Sequence, residues 1–581
     1  MNRAHAVIDP PSKAKTVPVS ADISYVIYRH RTLAFLGLAT IVLKSLIFTP
    51  IGVWPLAFVC LVPWVLMVAL SSKAPRVYFY SFAWAFLFFL VSLRWLFEAS
   101  GVGYVALSFY LSIYFPVMAC PLRHVARRRN VPLALALPCI WVAGEFLRAI
   151  VMSGFPWFFL SHSVYRMLTL IQISDLVGAY GASFLIAAIN GAVADIILDR
   201  LQARHRPLAE WITRRPQARR SIMVAAALLA FVFVYGQVQL RRDTTSVGPK
   251  IALLQGDYVM SVDDEESNDV DKRATHFSMA NAASAQAPDL YLLPETPWMM
   301  YLNPEARDFT YPPLSRSSFD AFQKHATEHR AYMVTGSASL VLTPRDLLAK
   351  DRKYNSATIF HPDGREPDRY DKVHLVYFGE VVPFRFGSLR FLYFWMNRVM
   401  PFSGPRGDYE YSLFPGAGFR VFEMKPTSMP DRSFRFGVPI CYEDVMPYIS
   451  RRFANGGDSK QVDFLLNISN DGWFGRGHQQ PQHLSICAFR AVENRVGIAR
   501  SVNTGVSAFI DPSGKIRNEV RGDPSDDWPR EVGVSVSNVL VDSRYTLYTR
   551  FGDWFGWLCV MVWLAFFVDY WIMRARALIE E

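Results

Sequence analysis

The chain has 581 residues, of which 51% are hydrophobic, 14% aromatic and only 19% charged. That is too apolar for a soluble enzyme of this size and suits a polytopic membrane protein. The net charge of +11 does not point to a nucleic-acid partner, because the Arg and Lys residues gather in short loops between apolar runs, which is a topology signal.

Apolar runs near the roughly 20 residues that a bilayer demands fall at about 33–49, 52–71, 77–97, 102–121, 132–152, 167–198, 221–240 and 554–573. They predict about eight spans. The run at 167–198 is longer than a span needs and carries Asp175 and Gly178-Ala179-Tyr180-Gly181, so it is either tilted or broken near its start. Lys13, Lys15, Arg29 and Arg31 precede the first span, and Lys73 and Arg76 follow the second. Arg123, Arg127, Arg128 and Arg129 follow the fourth, and the arginine-rich stretch 200–220 follows the sixth. The positive-inside rule therefore predicts both termini in the cytoplasm and the long stretch after span seven outside. The first apolar run lacks a convincing cleavage site and reads as an uncleaved span. Glu145 and Arg148, one helical turn apart near the outer end of the fifth span, either pair with each other or mark a function.

From 250 to about 541 the texture changes to short apolar runs with turn signals. The segments 251–255, 290–293, 332–335, 357–360, 436–440 and 464–468 read as buried strands, several separated by helical pattern. Residues 506–510 enter a hairpin turn at Asp511-Pro512-Ser513-Gly514-Lys515. Such alternation implies an α/β layered fold. The predicted organisation is an N-terminal membrane domain at 1–245 with seven helices, an external catalytic domain at 246–545, and a last span with a short cytoplasmic tail at 546–581.

Gly-x-Ser-x-Gly, Walker, His-Glu-x-x-His and Cys-x-x-Cys patterns are absent from the sequence. His478 and His483 lack the neighbours that would hold a metal and are expected on a loop beside the site; no metal or other cofactor is expected. Cys60, Cys120, Cys139 and Cys559 lie in or beside spans as apolar packing residues. For Cys441 and Cys487 a disulfide is one reading if the compartment is oxidising. The other starts from Cys441's company. Glu295 leaves a strand through Pro294, Lys372 lies between Asp371 and Val373, and Cys441 follows Val438-Pro439-Ile440. Singly they read as either a helix cap or a site residue, as a surface charge, and as a buried small residue. Jointly they supply the nucleophile, carboxylate base and cationic oxyanion partner that thioester-forming acyl transfer requires.

Leu293-Pro294-Glu295, Tyr370-Asp371-Lys372-Val373-His374-Leu375 with Phe378-Gly379-Glu380, and Ile440-Cys441-Tyr442-Glu443 resemble, in order, the three signatures of the nitrilase (carbon-nitrogen hydrolase) superfamily. The flanking spans, Ser153-Gly154-Phe155-Pro156-Trp157, Gln255-Gly256-Asp257 and Asn467-Ile468-Ser469-Asn470-Asp471-Gly472-Trp473-Phe474-Gly475 narrow the resemblance. Over nearly its whole length the chain is similar to the apolipoprotein N-acyltransferase family. The resemblance implies a nitrilase-like αββα sandwich on the periplasmic side of the bacterial inner membrane, carried on seven preceding helices and one following. It also implies a cofactor-free, monomeric acyltransferase. The acyl donor would be a membrane phospholipid, the intermediate a thioester on Cys441, and the acceptor the α-amino group of the N-terminal S-diacylglyceryl cysteine of an apolipoprotein. Glu295 would be the base and Lys372 the oxyanion partner. Glu380 and Glu443 would orient Lys372 and the acceptor, with ordinary loop ion pairing as their alternative. Tyr442 would shape the turn, and Asn470 and Trp473 are further site candidates.

Trp157, expected at the membrane interface, would line the route by which lipid enters. The apolar segment 389–396 is either an arm dipping into the outer leaflet, a mobile lid, or an element packed within the domain. Three departures stand out. Ser261-Val262-Asp263-Asp264 replaces the Lys-Trp pair of many family members, Val381 stands where Tyr or Phe is usual, and Gln479-Gln480-Pro481-Gln482-His483 differs locally. Two other classes stay open: a membrane-tethered amidase or nitrilase hydrolysing a lipid-linked amide, and a transporter or sensor with a degenerate enzyme-like domain.

Overall fold

The computed structural model describes residues 30–128, 131–202, 216–258, 266–342, 351–385, 388–399, 412–475, 477–520 and 532–580. Lys13, Lys15, Arg29, Arg129, most of the 200–220 basic loop and the departure at 261–264 lie outside the described residues. The N-terminal half contains α1 (His30–Leu46), a 3-10 turn (Trp54–Phe58), α2 (Val62–Leu70), α3 (Ala74–Ser92), α4 (Gly101–Ser112), α5 (Tyr114–Arg128) and α6 (Leu133–Ile150). It continues with α7 (Leu168–Ile171), α8 (Ser174–Val177), α9 (Tyr180–Gln202) and α10 (Pro216–Leu240).

Six helices among the described residues are long and apolar enough to cross a bilayer, where the apolar runs predicted about eight spans. They are α3, the continuous α4–α5 pair, α6, α9, α10 and the last helix of the chain. The shortfall lies at the first two runs. The first helix has 17 residues, and Pro55 and Pro63 start separate short helices in the second run, a 3-10 turn and a nine-residue α2. Arg123 and Arg127, read as topology signals, also donate to the Ser71 carbonyl at the end of α2, at 2.9 and 2.6 Å.

The 167–198 run is broken. Gly178, with φ 71°, separates α8 from α9, and a Cβ there would meet Tyr548 at 2.7 Å. Inside a membrane the freed backbone groups need protein partners, and residues from the other half of the chain supply them. Glu493 accepts the Ala179 N–H at 2.9 Å, and Trp554 donates to the Leu176 carbonyl at 3.1 Å. Asp175, the charge that interrupts the run, binds Arg495 at 2.5 and 3.1 Å and the Tyr235 hydroxyl at 2.6 Å. Asp175 and Arg495 are both buried, so Asp175→Ala strands a guanidinium and is expected to cost about 3–5 kcal/mol. Thermal unfolding in detergent measures this, and an unchanged midpoint would mean that Arg495 does not depend on Asp175.

The C-terminal half is built on two six-stranded sheets. The first holds β1 (Thr245–Gln255), β2 (Leu290–Leu292), β3 (Tyr332–Val341), β4 (Arg352–Phe360), β5 (Asp368–Asp371) and β12 (Gly533–Asp542), in the order β12-β1-β2-β3-β4-β5. The second holds β6 (Phe422–Met424), β7 (Phe434–Gly437), β8 (Phe464–Ser469), β9 (Gly497–Val502), β10 (Ala508–Ile510) and β11 (Ile516–Arg517), in the order β11-β10-β9-β8-β7-β6. The helices of this half are α11 (Glu266–Ser284), α12 (Ser315–Glu328), α13 (Arg390–Val399), α14 (Pro447–Ala454), α15 (Gln479–Asn494) and α16 (Leu547–Phe551), and the chain ends in α17 (Trp554–Glu580).

Continuous apolar runs became strands because both faces of the first sheet are covered. Ile251, Leu253, Leu290, Leu292 and Val334 share one core with Leu465, Leu466 and Ile468 of the second sheet. Their neighbours Ala252, Leu254, Tyr291, Leu293 and Met333 share another with Met279, Phe319 and Phe322 of α11 and α12. The period of two thus sorts each strand between sandwich interior and helix layer. The hairpin at Asp511 joins β10 to β11, with Ile510 opposite Ile516.

Candidate functional site

Three strand ends of this sandwich converge. Glu295 follows β2 through Leu293, whose N–H donates to Val334 at 2.8 Å, and Pro294, whose carbonyl accepts the Gly336 N–H at 3.1 Å. Gly336 is needed there, since a Cβ would lie 2.4 Å from Thr296 N and 2.5 Å from the Glu295 Cα. Lys372 comes directly after β5, and its N–H donates to the Asn355 carbonyl on β4 at 2.8 Å. Cys441 opens a 3-10 turn (Cys441–Asp444) beyond β7, with φ 50°, a left-handed conformation that a non-glycine residue holds at a cost of roughly 1–3 kcal/mol.

The side chains meet in a buried polar cluster. The Lys372 ammonium donates to Glu380 Oε1 at 2.9 Å and Glu295 Oε1 at 3.4 Å. Asn355 Nδ2 bridges the same two oxygens at 2.7 and 2.8 Å. Glu295 Oε2 has no hydrogen-bond partner among the described residues, on the carboxylate that the Cys441 thiol neighbours. Burial, and then the Glu380 carboxylate, push Glu295 above the usual carboxylate range against the pull of Lys372. Burial pulls Lys372 down, but Glu380, Glu295 and Cys441 outweigh it and hold the ammonium well above the ordinary lysine range. Burial, and then Glu295, push the Cys441 thiol well above its usual value. The resting site thus holds a neutral thiol beside a carboxylate whose affinity for a proton is raised, a pairing suited to general-base activation.

Glu443 acts through backbone groups. Its carboxylate accepts the N–H groups of Ile440, Val373 and His374 at 2.8, 2.8 and 3.0 Å and the Tyr370 hydroxyl at 2.9 Å. It ties the Cys441 turn to the Lys372 segment through the backbone, and does not bond the ammonium. Glu380, besides holding Lys372, accepts the Val376 N–H at 2.9 Å. Tyr442 stacks on His374 and donates to the Gly154 carbonyl of the membrane half at 3.1 Å. Asn470 caps the following 3-10 turn (Asp471–Phe474) and accepts from Asn503 at 3.0 Å. Trp473 is 47% exposed. Trp157, expected at the lipid interface, is buried and donates to Gln482 at 2.9 Å. Glu145 and Arg148 serve the loop that carries Trp157: Glu145 accepts the Leu160 N–H at 2.8 Å, and Arg148 reaches the Phe158 carbonyl at 3.4 Å.

Cys441 and Cys487 are both free thiols. The expectation of His483 on a loop is corrected: it is buried on α15 with a carboxylate on each ring nitrogen, Asp444 at 2.6 Å and Asp471 at 2.9 Å. His478, the residue before α15, is exposed. Among the described residues no group of three His, Cys, Asp or Glu side chains is arranged to hold a metal ion. Asn355 was missed by sequence reasoning, because its strand carries no mark of a site other than its register opposite the Lys372 segment.

His374, two residues after Lys372, bonds the Tyr448 hydroxyl at 2.7 Å and the Ser153 hydroxyl at 3.2 Å. Burial, and then the Lys372 charge, bring it down to about 4 from an ordinary 6.5. Between those values the unfolded chain binds the extra proton, so the stability due to a neutral His374 is present above pH 6.5 and is lost as pH falls towards 4. The thermal midpoint of wild type is expected to fall relative to that of His374→Gln across this window. A pH-independent difference would show that the ring is not held neutral.

Two family models match this chain, one in each half. Residues 42–192 match the family model described as the apolipoprotein N-acyltransferase N-terminal domain, and residues 250–527 match the carbon-nitrogen hydrolase model. The chain is 31% identical over 540 residues to apolipoprotein N-acyltransferase of Geobacter metallireducens, covering 89% of this chain and 91% of that protein. It is 26% identical to the protein of the same name from Rhodopirellula baltica, covering 91% and 95%. Among solved structures, a Nesterenkonia AN1 amidase from the nitrilase superfamily is 16% identical with a TM-score of 0.31, over 51% of this chain and 92% of that one.

Proposed function

Because the chain belongs to the apolipoprotein N-acyltransferase family, a bacterial multi-pass membrane protein with acyltransferase chemistry of the nitrilase type, we propose that it transfers a fatty acyl group from a membrane phospholipid to the N-terminal amine of a diacylglyceryl apolipoprotein. The observation that carries this reading is the meeting of Glu295, Lys372 and Cys441 at strand ends that a loop of the membrane half touches, through Gly154 and Tyr442. A hydrolase of small soluble amides needs no such loop.

Glu295 takes the thiol proton as Cys441 Sγ attacks the ester carbonyl carbon. The oxyanion is met by the Lys372 ammonium and by the N–H groups of Cys441 and Tyr442, which open a 3-10 turn and so have no partner inside it. Collapse breaks the acyl C–O bond, and the leaving lysophospholipid oxygen takes the proton from Glu295. In the second half-reaction the acceptor amine attacks the thioester, Glu295 removes the amine proton, the C–S bond breaks, and the thiol is restored as the amide forms.

The proposed organisation is a membrane domain at 1–245, a catalytic domain at 246–545 facing the periplasm, and a final span with a cytoplasmic tail at 546–581. In it α1 and the Trp54–Leu70 segment also cross the bilayer, α1 facing lipid through Phe35, Leu38 and Val42, all exposed. The amphipathic α13 exposes Phe391, Phe394 and Trp395 and would dip into the outer leaflet; residues 386–387 and 400–411 of the surrounding arm lie outside the described residues. A reporter that works only in the cytoplasm should be silent when fused after Gly248, and activity there would reverse the topology.

Transfer itself is tested by loading the protein with phospholipid and adding a diacylglyceryl-cysteine peptide. The acyl group should move to the peptide amine. Release to water alone would support the membrane-tethered hydrolase instead.

A further inference from the structure

Behind Cys441 lies a buried charge cluster to which the proposed reaction assigns no task. His483 Nε2 is 2.6 Å from Asp444 Oδ1 and Nδ1 is 2.9 Å from Asp471 Oδ1. Ionised carboxylates only accept, so both ring nitrogens carry protons and the ring is an imidazolium. Arg500 pairs with Asp444 and lies 3.7 Å from Asp471 Oδ2. Two cations and two anions therefore form a neutral block, and His483, Asp444, Asp471 and Arg500 are all buried.

The block is linked to the nucleophile through Asp471 by way of Ser469, and through the backbone of the turn that Asp444 ends. Asp444 is the last residue of the Cys441 turn. Asp471 accepts from the Ser469 hydroxyl at 3.2 Å, and that hydroxyl is a partner of the thiol. The groups facing His483 are Asp444 from the nucleophile turn, Asp471 from the next 3-10 turn, Arg500 from β9 and the uncharged Trp157 ring at 5.6 Å from the membrane half. Without the imidazolium the block would leave one net negative charge behind a thiol that already faces Glu295.

We propose that His483 is a positioning residue whose imidazolium cancels the acidic charge of Asp444 and Asp471 behind Cys441 and so makes it easier for Glu295 to take the proton of that thiol. The inference rests on Cys441 being the nucleophile, and its test needs no lipid substrate. The full-length protein in detergent is alkylated with iodoacetamide from about pH 6 to 10, and the modified cysteine is identified by peptide mass. In wild type the alkylation rate of Cys441 should rise with pH across this range. In His483→Gln it should be about tenfold slower at each pH. Asp471→Asn alone should speed it, and Asp471→Asn combined with His483→Gln should return it close to wild type. A merely structural role would change amplitude and melting but not produce this reciprocal change in rate.

An unchanged rate in folded His483→Gln, or a slowing that Asp471→Asn does not reverse, overturns the proposal. If His483→Gln unfolds, seen as alkylation of the buried Cys487 alongside Cys441, the direction of the Asp471→Asn change decides. A wild-type Cys441 that never reacts while the protein stays folded overturns the nucleophile reading itself.

Discussion

Incubated with phospholipid alone, the full-length protein is expected to gain one acyl mass that hydroxylamine removes, and Cys441→Ala is expected to abolish it. The loss should be on the order of 10⁴-fold or more, because no other group can take over the covalent step. Cys487→Ala provides the contrast. Its thiol is fully buried on α15 beside Asp444, a carboxylate already held by His483 and Arg500, so that variant should load normally. Intact-mass measurement reads both outcomes. An adduct that survives in Cys441→Ala would sink the thioester mechanism.

Lys372→Met is expected to slow acyl loading by about 10²–10³-fold, the usual consequence of removing one well-placed oxyanion donor. The ammonium does a second task. It stands at 2.9 and 3.4 Å between the Glu380 and Glu295 carboxylates, so its removal leaves two carboxylates sharing one buried pocket with only the Asn355 amide between them. One of them should then hold a proton near neutral pH, which moves the pH profile of loading upward as well as lowering it. Arginine should not rescue the variant, because a planar fork cannot occupy the place of a compact ammonium coordinated by two oxygens. Loading at the wild-type rate and pH profile in Lys372→Met would remove Lys372 from the mechanism.

Much of the candidate site was legible because its chemistry is unusual for its setting. A carboxylate, a lysine and a cysteine, each at the end of an apolar run, are poor candidates for packing, and their order along the chain was enough to link them. The roles of their neighbours were not legible. Glu443, expected with Glu380 to orient Lys372 and the acceptor or to pair within the loop, holds three backbone N–H groups, one from the Cys441 turn and two from the Lys372 segment. Trp157 reads as an interfacial residue by type, but the backbone of its loop, with positive φ at Met152, Ser153, Gly154 and Phe158, turns the indole inward onto Gln482. His483 carries no local mark of its partners, since Asp444 and Asp471 arrive from two different turns.

The sequence by itself determined the membrane class, the layered α/β half and which three side chains, Glu295, Lys372 and Cys441, to look for together, because composition, period and residue chemistry are properties of short windows. Only the tertiary structure decided how the 167–198 run is used. A buried Asp175 announces that it needs a partner but not which one, and that partner, Arg495, lies 320 residues further along the chain. The same holds for Asn355, which reaches Glu295 and Glu380 only through the pairing of β4 with β5. Burial creates the demand for a hydrogen bond locally, whereas the group that meets it is chosen by packing, over distances that no sequence window spans.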